Sequence, residues 1–119
     1  MSGSDIDRDS CVKGVSGMAV CEISVVPVGT GSSSISDYVV EAQRIIKKSG
    51  LKSQLGPMST SVEGDLDKIL EVVKEIHEAC FRKGAKRVLT SVKIDDRRDR
   101  PLSMDGKVRA VETKLKSGG

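Results

Sequence analysis

Two hydrophobic periods alternate along this chain, and their order limits the folds that it can adopt. Residues 18–28 alternate with a period of two, which is typical of a strand. The residues that would face the core from this strand are Ala19, Cys21, Ile23 and Val25. Apolar residues then recur at helical spacing as far as Gly50, and Ser34 with Asp37 matches the capping box at the start of a helix. A strand followed by a helix is therefore the first predicted unit.

The rest of the chain supplies three further strands and a terminal helix around one long helix. Residues 51–55 and 59–63 are short predicted strands on either side of Pro57, which must lie at an edge or a bend. Residues 87–95 alternate again and predict a longer strand. The amphipathic stripe of the terminal helix consists of Met104, Val108, Val111 and Leu115.

The long helix spans residues 65–83 and is the clearest helix in the sequence. Either Gly64 or Asp65 caps its start, and Gly84 ends it. Its apolar stripe consists of Leu66, Ile69, Leu70, Val73, Ile76 and Cys80. With this helix the order of elements becomes βαββαβ, followed by an extra C-terminal helix.

This order predicts an α+β protein of the ferredoxin-like, or split βαβ, arrangement with an antiparallel sheet. Right-handed crossovers place both internal helices on one face of the sheet, so the other face stays open. That face carries Met18, Val20 and Val26 beside Glu22 and Ser24. Because an apolar face of this kind needs a cover, we predict a homo-oligomer in which a second subunit and the terminal helix cover it. Cover by the terminal helix of the same chain is the alternative.

Length and composition narrow the class of protein. The 119 residues suffice for one domain, which we expect at residues 18–116 after a polar, flexible tail of residues 1–17. A charged fraction of 31% without a long apolar run argues against a membrane protein, and the tail lacks the apolar run of a signal peptide. Three cysteines without a CxxC pair favour a reduced, cytoplasmic protein. Aromatic residues make up only 2%, which argues against a nucleic-acid partner read by base stacking.

One loop between the first strand and the first helix is a candidate ligand site. Its candidate residues are Gly29, Thr30, Ser32 and Ser34, since backbone N–H groups and hydroxyls at such a junction can hold an anion or a polar ligand. An ordinary tight turn capped by Ser34 is the alternative. The loop is neither a P-loop nor a complete dinucleotide fingerprint. Tyr38 is the aromatic residue nearest to it in the sequence.

Two strand ends add three further candidates. Thr60 and Glu63 belong to the third strand, and a carboxylate at Glu63 suits an amine or a cationic ligand. A solvated charge is the alternative for Glu63. Asp95 opens the charged segment 95–100, which is read by default as a salt-bridged surface turn. Asp95 and Asp96 could instead bind a cation or a metal. The arginines, Arg97 and Arg98, could bind an anion or hold a subunit interface.

The sequence pattern indicates no set of residues suited to catalysis or to binding a metal. His77 is the single histidine and is expected to have a structural role. Cys21 and Cys80 fall on predicted core faces and read as small hydrophobic residues. No arrangement of Ser or Cys with a base can be assembled, so we predict no enzyme, no metal and no cofactor.

Four segments of the sequence, in this order, match the pattern of a known family. They are VVPVGTGS with SISDYV (25–39), PMST with VEG (57–64), EIHEA (75–79) and VKIDDRRD (92–99). Together they resemble the small thiamine-binding, YkoF-like family over roughly residues 19–115. The resemblance implies a ferredoxin-like subunit, a homotetramer built as a dimer of dimers, and binding of thiamine or a related pyrimidine without catalysis.

The resemblance also suggests how the candidate residues meet thiamine, which has a cationic thiazolium, an aminopyrimidine and a hydroxyethyl arm. Glu63 or Asp95 would meet the charge or the exocyclic amine, while Thr60 and the loop supply donors and acceptors. Stacking would fall to Tyr38 or to an aliphatic side chain such as Met58. The function expected is therefore a non-catalytic, homo-oligomeric binding protein for thiamine or a precursor. The alternative is a structural or regulatory oligomeric module without a small ligand, and an RNA-binding domain is disfavoured.

Overall fold

Residues 18–29 and 35–118 are described by a computed structural model, and they form four strands and three helices. In chain order the elements are β1 (Ala19–Val28), α1 (Ile35–Ser49), β2 (Lys52–Leu55), β3 (Thr60–Gly64), α2 (Leu66–Arg82), β4 (Arg87–Asp96) and α3 (Met104–Gly118). The predicted order βαββαβ with an extra C-terminal helix is confirmed. The predicted tail, residues 1–17, lies outside the described residues.

The strands form one antiparallel sheet in the order β2-β3-β1-β4, which is the ferredoxin-like arrangement of an α+β fold. The central strand β1 pairs with β3 through Cys21 and Val62, and with β4 through Ile23 and Val92. Since β1 and β3 each have a neighbour on both sides, these two strands form the interior of the sheet. The two edge strands are β2 and β4.

Both α1 and α2 pack on one face of the sheet, as the right-handed crossovers require. The core lies between this face and the two helices, and its largest fully buried side chains include Ile46 of α1, Val62 of β3 and Ile76 of α2. The alternation expected for β1 is confirmed, because Ala19, Cys21 and Ile23 are buried and Val25 packs against them half-buried. Cys21 and Cys80 are both buried and unpaired, as small core residues would be.

Capping residues define the start of α2 and the ends of α1 and α2 at the predicted positions, whereas Ser34, the predicted cap of α1, lies outside the described residues. Asp65 is the N-cap of α2, where its carboxylate accepts hydrogen bonds from the backbone N–H groups of Asp67 and Lys68 at 3.1 and 3.3 Å. This contact decides between the two predicted caps in favour of Asp65. Gly84 follows the end of α2 with φ +115°, and Gly50 follows α1 with φ +81°. A side chain at either position would be strained, so these glycines end the helices.

The buried face of α2 differs from the predicted stripe. Val72 and Ala79 are buried although the stripe omitted them, and Leu70 is 46% exposed although the stripe included it. The helix contacts α1 as well as the sheet, so the buried arc is turned toward α1 and away from Leu70. The buried residues of this face are Ile69, Val72, Ile76, Ala79 and Cys80.

The opposite face of the sheet is open except at one end, where the start of α3 lies against it. Met104 is buried there, but the rest of the apolar stripe of α3 is exposed: Val108 at 48%, Val111 at 58% and Leu115 at 69%. At the other end of the face Val26 and Leu89 form a neighbouring pair and are also exposed. Within one chain, therefore, α3 covers only a corner of the open face.

Candidate functional site

A cavity of about 230 Å³ opens between α1, β1 and the hairpin that joins β2 to β3. The hairpin is closed by a hydrogen bond from the Gly56 N–H to the Ser59 carbonyl at 2.8 Å, and its tip lies beside the cavity. The residues of α1 that line the cavity recur every three or four positions. They therefore share one face of the helix, and this face forms a large part of the cavity wall. Its residues are Ile35, Tyr38, Val39, Ala42, Gln43 and Ile46.

The described lining of the cavity contains no lysine, arginine, histidine, aspartate or glutamate. Most of the wall is aliphatic, and Tyr38 contributes the single aromatic ring among the described lining residues. A site of this composition takes an uncharged group readily, because moving an unpaired ion out of water is costly. Polar side chains on the wall are then the groups that orient a ligand.

Three polar side chains at this wall, those of Tyr38, Gln43 and Thr60, can form more hydrogen bonds than they make with the described residues. The Gln43 amide donates from Nε2 to the Thr60 hydroxyl at 2.8 Å, across from α1 to β3. Thr60 is 7% exposed and Tyr38 is 8% exposed. Among the described residues no partner is present for the Gln43 carbonyl oxygen, the Thr60 hydroxyl proton or the Tyr38 hydroxyl. Because buried polar groups in folded proteins are nearly always paired, this wall is suited to a polar ligand.

The mouth of the cavity is apolar and strongly exposed. Ile35 is 54% exposed, Leu55 is 60% exposed and Met58 is 87% exposed. Met58 lies at the hairpin tip, and its unbranched side chain can adapt to the shape of a ligand or of a neighbouring surface. The mouth therefore offers hydrophobic contact to whatever part of a ligand remains outside.

Of the eight residues selected from the sequence, Tyr38 and Thr60 line this cavity. Gly29 lies directly after β1 with φ +69°, a conformation that suits glycine. Thr30, Ser32 and Ser34 lie outside the described residues. Gln43 also lines the cavity, although it is not among the residues predicted from the sequence. A signal was present, because Gln43 is a polar residue between Val39 and Ile46 on the apolar face of α1.

The other two selected residues, Glu63 and Asp95, lie on the opposite face of the sheet and do not line the cavity. Glu63 accepts a hydrogen bond from the backbone N–H of Met104, the first residue of α3, at 2.7 Å. Asp95 forms an ion pair with Lys107 of α3 at 2.6 Å. The structure thus brings both carboxylates to the start of α3.

A third contact holds the same turn of α3. Lys52 of β2 donates a hydrogen bond to Asp105, and this bond raises the pKa of Lys52 and lowers the pKa of Asp105. Together with Glu63 and Asp95 it ties the beginning of the helix to β2, β3 and β4. An acidic group near a helix N-terminus is also favoured by the helix dipole.

The charged segment 95–100 begins with the last two residues of β4 and is salt-bridged, as expected by default. Arg97 pairs with Asp99 at 2.6 Å, and Arg98 pairs with Asp96 at 2.8 Å, all within the segment. In the part of the chain that the structure describes, no three His, Cys, Asp or Glu side chains are grouped as metal ligands would be. None of the described helices has the length and hydrophobicity to cross a membrane.

The nucleophilic side chains of the described core serve packing. Burial raises the pKa of both the Cys21 and the Cys80 thiol, which disfavours the reactive thiolate. The Nδ1 atom of His77 lies 2.8 Å from the Thr90 hydroxyl, and its ring meets Phe81 edge-on at 5.4 Å. His77 therefore links α2 to β4.

Sequence comparison identifies relatives that span the folded region. Residues 21–112 match the family model described as thiamine-binding protein. A UPF0045 protein of Staphylococcus xylosus is 46% identical over 106 residues, which cover 86% of this chain and 99% of the relative. The UPF0045 protein YqgV of Bacillus subtilis is 39% identical over 102 residues, covering 82% and 98%.

Solved structures with the same fold include proteins from an archaeon and from a thermophilic bacterium. The Methanocaldococcus jannaschii UPF0045 protein is 38% identical with a TM-score of 0.75, covering 81% of this chain and 97% of its own. A Thermotoga maritima protein proposed to act in thiamine biosynthesis or salvage is 26% identical with a TM-score of 0.70, covering 79% and 98%.

Proposed function

Because the chain belongs to the thiamine-binding protein family, we propose that it binds thiamine or a related thiamine precursor and does not convert it. The observation that carries the proposal is the cavity beside α1, where an apolar wall surrounds polar groups that lack partners among the described residues. The absence of charged side chains from the described wall favours an uncharged ring over an ion as the enclosed group.

The roles proposed for single residues follow from this cavity. Tyr38 supplies the ring that contacts the ligand, and Thr60 supplies a hydroxyl at its base. Gly29, Thr30, Ser32 and Ser34 are proposed to contribute donors and acceptors from the segment between β1 and α1. A ligand role for Glu63 and Asp95 stays a prediction from the sequence, beside the contacts that they make with α3.

Calorimetry tests the proposal directly. Thiamine and its hydroxymethylpyrimidine precursor are titrated into the purified protein, and saturable heat with a stoichiometry of one ligand per chain is expected. Absence of heat at millimolar ligand would contradict the proposal. Mass spectrometry after incubation with thiamine then checks that the ligand is recovered unchanged, as a non-catalytic binding protein requires.

We also propose that the chain assembles in the cytoplasm as a homotetramer, a dimer of dimers. The support is the open sheet face together with the exposed stripe of Val108, Val111 and Leu115 on α3. A second subunit that buried these residues would gain roughly 25 cal/mol for each Å² of apolar surface removed from water.

A structural or regulatory interaction module without a small ligand is the second candidate. The same exposed stripe on α3 favours it, since such a surface suits association whether or not the cavity is filled. An oligomer that is intact while calorimetry detects no ligand would support this second candidate over the first.

A further inference from the structure

We propose that β4 pairs with β4 of a second copy of this chain, antiparallel and about a two-fold axis at Ser91, so that two four-stranded sheets join into one. The inference rests on the proposed homotetramer and adds the location and register of one of its interfaces. A dimer of dimers contains two different two-fold interfaces. The open sheet face with α3 supplies the first, and the edge of the sheet at β4 supplies the second.

The outer edge of β4 is long, regular and free of proline. Its ten residues pair one to one with β1, so the strand has no bulge along this length. Among the described residues no strand pairs with its other side. The opposite edge strand, β2, has four residues and leads directly into Gly56 and Pro57. Because short strands, bulges and prolines keep sheet edges from pairing, β4 is the edge that remains open to another strand.

The core-facing residues of β4 expose apolar surface at this edge. Val92 and Ile94 are 38% and 40% exposed. Their partners on β1, Ile23 and Cys21, lie on the same face of the sheet and are buried. The difference follows from position, since β1 has a strand on both sides and β4 has one on a single side. A further strand beside β4 would remove this surface from water.

Helix α2 extends the apolar edge. His77 lies 2.8 Å from the Thr90 hydroxyl, so its face of the helix lies over β4. Leu70 and Phe81 share this face at helical spacing and are 46% and 41% exposed. A two-fold axis at Ser91 would bring the α2 helices of the two copies side by side and antiparallel. Leu70 of one copy would then face Phe81 of the other.

The sequence of β4 is complementary to itself in one register. Directly opposite residues of antiparallel strands lie on the same face of the sheet, so the core-facing residues of both copies must stay together. With the axis at Ser91, Arg87 stands opposite Asp95 of the second copy, and Val88 stands opposite Ile94. This register pairs opposite charges on the open face and apolar side chains on the core face, and both kinds of pair stabilise a sheet.

The two neighbouring registers are less favourable. Moving the axis by one residue toward the C-terminus sets Leu89 opposite Asp95, an aliphatic side chain against a carboxylate. Moving it by one residue toward the N-terminus sets Arg87 opposite Lys93, which are like charges and repel. Asp95 holds Lys107 of its own chain through Oδ2, which leaves Oδ1 for Arg87 of the second copy.

Cysteine cross-linking tests the register. In Ser91→Cys the two thiols of a pair lie at the axis, where opposite Cα atoms of antiparallel strands are about 4.5–5.5 Å apart. A disulfide spans Cα atoms about 4.4–6.8 Å apart, so oxidation with copper phenanthroline should link most chains into covalent dimers. Lys93→Cys is the control on the same strand, since its thiols would lie roughly 13 Å apart along the paired strands and should not be linked. Both variants also carry Cys11→Ser, because Cys21 and Cys80 are buried.

Light scattering after gel filtration tests whether this interface is separate from the one on α3. Val92→Lys places a charge in the apolar edge and should halve the mass to about 25 kDa, twice the 12.7 kDa chain. Combined with Val111→Asp it should give a monomer. Val40→Lys makes the same substitution at a valine of α1 that is 45% exposed, and should leave the mass unchanged. Circular dichroism confirms that each variant is folded.

The outcomes separate this inference from the proposed function. Equal cross-linking of Ser91→Cys and Lys93→Cys overturns the register, and absence of cross-linking in both, as expected if residues 1–17 occupied the edge, overturns the interface. A Val92→Lys variant of unchanged mass also overturns it, while the proposed tetramer stands. Monomeric wild type overturns the tetramer and this interface together. Cross-linked Ser91→Cys in a protein that gives no heat with thiamine supports the interface and contradicts the proposed ligand.

Discussion

At the scale of single residues, the alternation along β3 decides which polar groups reach the cavity. Thr60 and Val62 point toward the helices, and both are buried. Glu63 is three residues from Thr60, so in a strand it must point to the other face. Its carboxylate accordingly meets α3 while the Thr60 hydroxyl meets Gln43.

The same alternation explains how much of the candidate site could be predicted. Tyr38 is predicted from its aromatic ring and Thr60 from a position toward the end of the third strand, and both line the cavity. The position predicted for Thr60 is wrong, because it is the first residue of β3. Gln43 was missed because a polar residue in a helix is usually solvated, and only the position of β3 reveals what it faces. Glu63 was grouped with Thr60 by nearness in sequence, although a period of two already assigns them to opposite faces.

The Lys52–Asp105 pair predicts a pH dependence of stability. The hydrogen bond lowers the pKa of Asp105 below its usual 3.8 and raises the pKa of Lys52 above its usual 10.5. Stabilisation by the pair is therefore complete between these ordinary values. It is lost as pH falls through the lowered pKa of Asp105, and also as pH rises through the raised pKa of Lys52.

Urea unfolding of wild type and Asp105→Asn should differ at neutral pH and converge below pH 3.8. A difference that persists undiminished in acid would contradict this.

The packing of α2 predicts that alanine substitutions at two residues of its predicted apolar stripe lower the free energy of unfolding by unequal amounts. Ile76 is 1% exposed, so Ile76→Ala should destabilise the protein by about 2–5 kcal/mol through lost burial and a cavity. Leu70 is 46% exposed, so Leu70→Ala should cost about 1 kcal/mol or less. The free energies of unfolding come from urea titrations of both variants. Equal costs would indicate that the face of α2 predicted from the sequence, rather than the observed one, is buried.

At the scale of elements, the first turn of α3 anchors the helix to the sheet. Contacts to Glu63, Asp95 and Lys52 lie within the segment from Met104 to Lys107. Beyond this turn the apolar stripe of the helix is exposed. The apolar spacing predicts the helix, but it does not predict which residues hold its first turn. Glu63 lies 41 positions before its partner Met104, and Lys52 lies 53 positions before Asp105, so these contacts depend on the fold.

The hydrogen bond between Glu63 and the first residue of α3 predicts how substitutions of Glu63 change stability and ligand affinity. Glu63→Ala removes the acceptor for the Met104 N–H and should cost about 1 kcal/mol, as loss of a helix cap does, with reduced helix content by circular dichroism. Glu63→Gln keeps a carbonyl acceptor and should cost less. Thiamine affinity should be unchanged in both, because Glu63 does not line the cavity. A fall in affinity without a fall in stability would instead support the ligand role predicted from the sequence.

The remaining elements could be predicted because the spacing of their apolar residues matches the face that each strand or helix buries. Strands β1 and β4 and helix α1 follow from alternation, capping and terminal glycines. The buried arc of α2 could not be read from α2 alone, because it depends on the neighbouring α1 as well as on the sheet. Local pattern therefore specifies the elements, while their rotation against each other comes from packing.

At the scale of the whole molecule, the open sheet face and α3 present apolar surface that a single chain does not cover. The proposed tetramer predicts a mass of about 51 kDa, four times the 12.7 kDa chain, by light scattering after gel filtration. Val111→Asp places a charge within the exposed stripe and should shift the mass toward smaller species, because an unpaired charge is costly to bury. Thr113→Asp places the same charge on the far side of α3 and should leave the mass unchanged. A monomeric wild type, or equal effects of the two changes, would contradict the assembly.

An amide chemical-shift titration of isotope-labelled protein with thiamine would locate the bound ligand in the proposed cavity. Saturable shifts are expected to cluster at the cavity-lining residues Tyr38, Ala42, Gln43 and Thr60. Amides near Glu63 and at the start of α3, on the opposite face of the sheet, should move little. Shifts concentrated around Glu63, Asp95 and α3, or no shifts at saturating thiamine, would contradict it.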